Sequence, residues 1–196
     1  QHAALPIYYV QSKLLSQDKP FIFFDVGANK GNYTIELAKH FSKNNFIIYC
    51  FEPSGHIFSE LSRVVNRDKM IIPVNIGFGE ITGNMQLYSR GHLSLSGLAS
   101  VYKRRLDHFG IDMSYNETIQ IKRIDDYCNE ENIDRINFLK LDVEGHEYKC
   151  LTGAGDMLKN NLIDFIQFEF GGCNIDSRTY FQDFWYLLKD DYNFYR

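Results

Sequence analysis

The sequence predicts an α/β fold, a doubly wound and mostly parallel sheet in a single domain of residues 1–196. Three observations carry this. Short apolar runs alternate with segments of helical period. The run Phe21-Ile-Phe-Phe-Asp-Val ends in a glycine turn, Gly-Ala-Asn-Lys-Gly-Asn32, and leads into the helical pattern Ile35, Leu37, Ala38, Phe41. Finally, four runs end in acidic residues, where the strands of an open α/β sheet present their carboxyl edge to ligands.

Residues 5–16 space Ile7, Val10 and Leu14 along one helical face, so a leading helix within residues 1–18 should cover the sheet. The strand at Phe21 and its helix come next. Phe46–Phe51 reads as strand two, ending in Glu52-Pro53; Ser54 can cap a helix that turns Ile57, Leu61 and Val64 inward. Met70–Ile76 reads as strand three, closed by Gly77-Phe78-Gly79. Right-handed crossovers turn this β-α-β-α-β order into half of a doubly wound sheet. An insertion then occupies residues 80–125, with strand-like runs at Met85–Tyr88 and Thr118–Ile124; at this length it reads as a lid or binding segment. A helix is expected over Asp125–Glu131 and strand four over Ile136–Leu141. Next come a helix over Glu147–Leu158 interrupted by Gly153 and Gly155, strand five over Ile163–Phe168, and a helix over Thr179–Leu188 with Phe181, Phe184, Leu187 and Leu188 inward. A sheet of this kind would continue with further strands, so the chain reads as truncated at Arg196, or else one sheet edge is bare.

Net charge of −4 and a pI near 5.9 argue against a general nucleic-acid binder. Lys103-Arg104-Arg105, the one dense basic run, reads as a solvated helix face, although with Arg90 and His92 it could meet an acidic acceptor. No apolar stretch reaches the roughly 18 residues of a membrane span, and no signal peptide is visible. Cys50, Cys128, Cys150 and Cys173 match no zinc spacing and read as reduced, small hydrophobes, which places the protein in the cytoplasm.

The candidate site gathers Asp25 to Asn32, Glu52, Asp142 to His146, and Glu169 along one sheet edge. Gly27 and Gly31 let the turn bend and a ligand approach. Glu52, ending strand two, can accept both hydroxyls of a ribose. A dinucleotide fingerprint wants glycines at its first, third and sixth positions, where this chain has Gly27, Asn29 and Asn32. Asp25, two places before Gly27, would be a poor neighbour for a diphosphate and a good one for an ammonium or sulfonium.

With the segments Asp-Val-Gly-Ala-Asn-Lys-Gly-Asn (25–32), Phe-Glu-Pro (51–53), Phe-Leu-Lys-Leu-Asp-Val-Glu-Gly-His-Glu (138–147) and Gln-Phe-Glu-Phe-Gly (167–171), the chain resembles the FkbM family of S-adenosylmethionine-dependent O-methyltransferases from Phe21 to Tyr195. The resemblance implies a Rossmann-like class I methyltransferase fold and methylation of a hydroxyl on a sugar, glycan, lipid or polyketide. It also implies that Gly27, Asn29, Gly31 and Glu52, with Asn32 of the same motif, hold S-adenosylmethionine, and that Asp142 lies near its amino-acid end. Such chemistry needs a base for the acceptor hydroxyl. His146 opens a helix directly after strand four and is the first candidate; Glu144 and Glu169 are the others. Asp142 and Glu169 could instead hold a divalent cation that acidifies the acceptor hydroxyl, but two carboxylates without an evident third ligand leave the metal unassigned. The competing readings are a nicotinamide-dependent oxidoreductase and a non-catalytic scaffold of the same fold. Tyr180 and Trp185 could stack on a sugar ring, though packing is the expectation for both.

Overall fold

Alternation along Phe21–Val26 sends Phe21 and Phe23 to one face of the sheet and Phe24 and Val26 to the other, and all four are buried. A strand buried on both faces belongs in the middle of a parallel sheet. The computed structural model places it there; it describes residues 4–14, 19–90 and 99–195. The elements in order are α1 (Ala4–Lys13), β1 (Phe21–Val26), α2 (Asn32–His40), β2 (Phe46–Phe51), α3 (Gly55–Val65), β3 (Ile71–Val74), β4 (Gly77–Phe78), β5 (Gly83–Ser89), β6 (Tyr115–Lys122), α4 (Ile124–Glu131), β7 (Ile136–Leu141), α5 (Glu147–Thr152), α6 (Gly155–Lys159), β8 (Ile163–Phe168), α7 (Cys173–Ser177) and α8 (Phe181–Leu188).

Five strands form an all-parallel sheet in the order β3-β2-β1-β7-β8. The order reverses between β1 and β7, which is the switch point where open α/β sheets leave a crevice. One face packs on α1 to α3 through Ile7, Val10, Leu37, Phe41 and Leu61. The other packs on α4, α5, α6 and α8 through Ile124, Tyr127, Leu151, Met157 and Phe184. Each such side chain stabilises the fold by about 1.5–3 kcal/mol relative to exposure.

The insertion forms a second sheet, β4-β6-β5, with β5 and β6 antiparallel and β4 parallel to β6. Along β6 the buried Ile119 and Ile121 alternate with Thr118 and Gln120 outside, so one face is apolar.

The departures from expectation are local. Gly77-Phe78 is itself the short strand β4. The helix over 147–158 is interrupted at Gly153 as expected, giving α5 and α6, whereas α7 was not foreseen. Ser54 occupies the N-cap of α3 without a side-chain cap; its amide binds Glu52 instead. Val64 is 46% exposed while Val65 is buried, a one-residue shift of the α3 face. Phe181 is 45% exposed, stacked edge-on to Phe170 and Phe194 on the surface. Residues 103–106 are not helical. His92 lies outside the described residues, as do parts of the leading segment.

Candidate active site

The turn after β1 is shaped by contact with protein. Gly27 has φ +77°, and a Cβ there would lie 1.9 Å from the carbonyl oxygen of Asp142, so only glycine lets the ends of β1 and β7 approach. Gly31, with φ +84° at the start of α2, faces Leu61 on α3 rather than the cleft. Asn29 (φ 51°) turns its amide onto Glu52: Oε2 accepts from the Asn29 N–H at 3.0 Å and Oε1 from the Ser54 N–H at 3.0 Å. Burial nonetheless pushes the Glu52 carboxyl up to about 7 against the pull of both amides.

Beneath this turn a polar row crosses the sheet. Asp25, Lys140 and Gln167 stand in register on β1, β7 and β8. Lys140 is 4% exposed; its Nζ lies 3.0 Å from Asp25 Oδ1 and 3.4 Å from Asp142 Oδ2, and donates to the Gly27 carbonyl at 3.3 Å. It also sits 5.2 Å from the ring centre of Tyr33, whose hydroxyl donates to Gln167. Thr34 Oγ1 donates to Asp25 Oδ2 at 2.6 Å. Burial opposes the Lys140 charge, but Asp25 and then Asp142 outweigh it and hold the ammonium above its ordinary range.

After β7 the chain makes a tight loop through Glu144 (φ 52°) and Gly145 (φ 101°). Buried Glu147 closes it, one oxygen accepting from the amides of Val143 and Gly145. Residues 100–104 fasten onto the same loop at three points. Ser100 Oγ donates to the Glu144 carbonyl at 2.7 Å, Tyr102 Oη is 3.0 Å from His146 Nδ1, and Arg104 bridges Glu144 (2.9 Å) and Asp176 (3.3 Å). Asp142, Glu144 and Glu169 each offer a carboxylate oxygen within 4.8 Å of the others, a grouping that could hold a cation. Burial, then the shared proton and charge of Asp142, push Glu169 up to about 7.

These elements bound one cleft with a cavity volume of about 120 Å³. Gly27, Asn29, Glu52, Asp142, Glu144 and His146 form its polar side. Leu87, Ala99, Val101, Ile119 and Ile121 of the insertion form an apolar wall opposite, with Ile57 and Phe78.

The Methyltransferase FkbM domain family model matches residues 25–194, a stretch that starts near the end of β1 and includes every later strand of both sheets. The chain belongs to the FkbM methyltransferase family. It is 26% identical over 154 residues to Methyltransferase 1 of Beauveria bassiana (strain ARSEF 2860), covering 71% of this chain and 60% of that protein. A crystal structure of a methyltransferase FkbM from Methylobacillus flagellatus KT superposes with a TM-score of 0.50 at 22% identity, over 79% of this chain and 34% of that one, which bears on the fold. This chain thus spans well under the full length of both relatives.

Within the FkbM frame the sequence-derived site residues divide. Gly27, Asn29, Glu52, Asp142, Glu144 and His146 meet in the cleft wall, and Glu169 stands beside Asp142 and Glu144, exposed. Asp25 does not line the cleft: it is 0% exposed, spent on Lys140 and Thr34. Gly31 packs on α3, and Asn32 is exposed as the first residue of α2. His146 is 6% exposed, held between Tyr102 and Gly79; burial, then Lys149, push its pKa down to about 4, with Glu80 pulling the other way. A ring so placed is a weak base. Arg104 is an ion-pair clamp rather than part of a solvated face. Sequence reasoning missed Lys140, Glu147, Tyr102 and the apolar wall. A lysine inside the apolar run Ile136–Leu141 was the readable signal for the first.

Proposed function

We propose that this FkbM-family protein is an S-adenosylmethionine-dependent O-methyltransferase acting on a hydroxyl of a saccharide or a similar small hydroxylated acceptor. One observation carries the reading: at the cleft the carboxylates of Glu52, Asp142, Glu144 and Glu169 outnumber the nearby cations Lys140 and Arg104, and Asp25 lies beneath. Such a field favours a ligand carrying a sulfonium and an ammonium and disfavours a diphosphate, which argues against the nicotinamide alternative.

The donor set fits the methyl donor. Glu52 keeps unused lone pairs beyond its two amide bonds, suited to the ribose hydroxyls. Asp142 suits the ammonium, Gly27 and Asn29 bound the same end, and Ile57, Phe78, Ile119 and Ile121 suit the adenine. S-adenosylmethionine, when bound, supplies an electrophilic methyl group. The residues then supply orientation and a place for the acceptor proton. Glu169, exposed beside Asp142 and Glu144, takes that proton; Glu144, tied to Arg104, orients the acceptor. The acceptor class itself rests on the family resemblance. Among the described residues no helix is long and apolar enough to cross a membrane, and four buried free thiols fit a reducing compartment such as the cytoplasm.

Thermal-shift titration tests the donor. S-adenosylhomocysteine should raise the melting temperature while NAD leaves it unchanged. No response to either would favour a non-catalytic scaffold. Transfer of labelled methyl to a panel of nucleotide sugars and cell-surface glycans would then define the acceptor.

A further inference from the structure

Asp142 carries a carboxylate in the cleft wall, yet its own strand end does little to fix it: the side chain is 45% exposed, and its backbone amide is bound to the Val26 carbonyl. Glu144 and Glu169 are its acidic neighbours, and Lys140 is the cation that reaches it. From one buried ammonium it contacts Asp25, Asp142 and the Gly27 carbonyl, so it ties the β1 turn to the β7 turn across the switch point of the sheet. A charge so deeply buried is costly unless partnered, and Lys140 has Asp25 in register and the Tyr33 ring beside it, with Thr34 donating to Asp25 and Gln167 accepting from Tyr33.

We propose that Lys140 is a positioning residue that orients the Asp142 carboxylate against the turn at Gly27, and so sets affinity for the cationic amino-acid end of the methyl donor. Asp25 is its buried counter-ion, placed to keep it charged. The inference rests on the donor reading above, and it separates two ends of one ligand: Lys140 acts at the amino-acid end, Glu52 at the ribose.

Calorimetric binding of S-adenosylhomocysteine and of adenosine, which lacks the amino-acid end, tests it. Lys140→Met alone would leave Asp25 buried without a counter-charge, so the variant to use is Asp25→Asn/Lys140→Met, which removes both buried charges. It should bind S-adenosylhomocysteine about tenfold or more weakly, the loss of an oriented charged hydrogen bond, and adenosine within about twofold of the parent. Parallel weakening of both ligands, or no change in either, would overturn the proposal. Should that pair fail to fold, Asp25→Asn/Lys140→Gln, which keeps polar groups at both buried positions while removing both charges, carries the test: an unchanged ratio of the two affinities would overturn it, and a collapsed ratio supports it. A parent protein that binds neither ligand removes the donor reading as well, whereas parent binding with an unchanged ratio removes this proposal alone.

Discussion

A methyl group on Gly27 would sit 1.9 Å from the carbonyl oxygen of Asp142, at a backbone φ of +77°. Both the contact and the dihedral oppose any side chain. Gly27→Ala should therefore cost about 3 kcal/mol or more from left-handed strain and overpacking. In a chain of this size that lowers the melting temperature by roughly 6–12 °C. Gly171→Ala, where an added Cβ meets nothing within 4 Å, is the control and should stay within about 0.5 kcal/mol. Equal melting temperatures for the two variants would contradict the geometry.

Glu52 gives the ligand-free protein a pH dependence of definite sign. Its folded-state pKa, about 7, lies above the ordinary 4.5, so the folded chain binds more protons between those values. Stability should fall as pH climbs through that window. Glu52→Gln should flatten this part of the profile in urea unfolding. It should also weaken S-adenosylhomocysteine about tenfold, because the amide offers one acceptor oxygen where the carboxylate offers two. A variant with parental slope and affinity would remove Glu52 from the site.

With Glu169 as the base, kcat/KM for the acceptor at saturating methyl donor, where Glu52 is already occupied, should rise with pH around a midpoint near 7. Glu169→Gln should erase that limb and lower kcat by roughly a hundredfold to ten-thousandfold. His146→Asn should leave the limb in place. A chelator should leave turnover intact; activity lost on chelation and restored by magnesium would instead make Asp142, Glu144 and Glu169 cation ligands.

Arg104 clamps the middle of the insertion to the loop bearing Glu144 and to α7 through Asp176. Arg104→Met strands two carboxylates, one of them largely buried, and should cost about 1–3 kcal/mol. The exposed chain around Lys103 and Arg105 should become more susceptible to limited trypsin cleavage. An unaltered cleavage pattern would mean the clamp holds nothing in place.

Much of the fold was legible because the signals are local. The runs at Phe21, Phe46, Ile136 and Ile163 are strands with the bounds expected, and the glycine turn after the first leads into a helix as read. The strand-end carboxylates Glu52, Asp142 and Glu169 do share one edge of the sheet. Less legible were partnerships across elements. Nothing near Arg104 in sequence points to Glu144, and the helical period that placed Val64 inward is one residue out of phase with the α3 contact.

By itself, then, the sequence determined the parallel α/β class, the turn at Gly27 and the family, since periodicity, glycine placement and motif order are properties of contiguous residues. Only the tertiary structure decided that Asp25 faces Lys140 instead of the cleft, that His146 is shut between Tyr102 and Gly79, and that the insertion lends the cleft an apolar wall. The physical reason is lateral order. Which strand lies beside which is settled by the crossovers and the burial they achieve, and a charge inside an apolar run does not announce the residue in the neighbouring strand that will neutralise it.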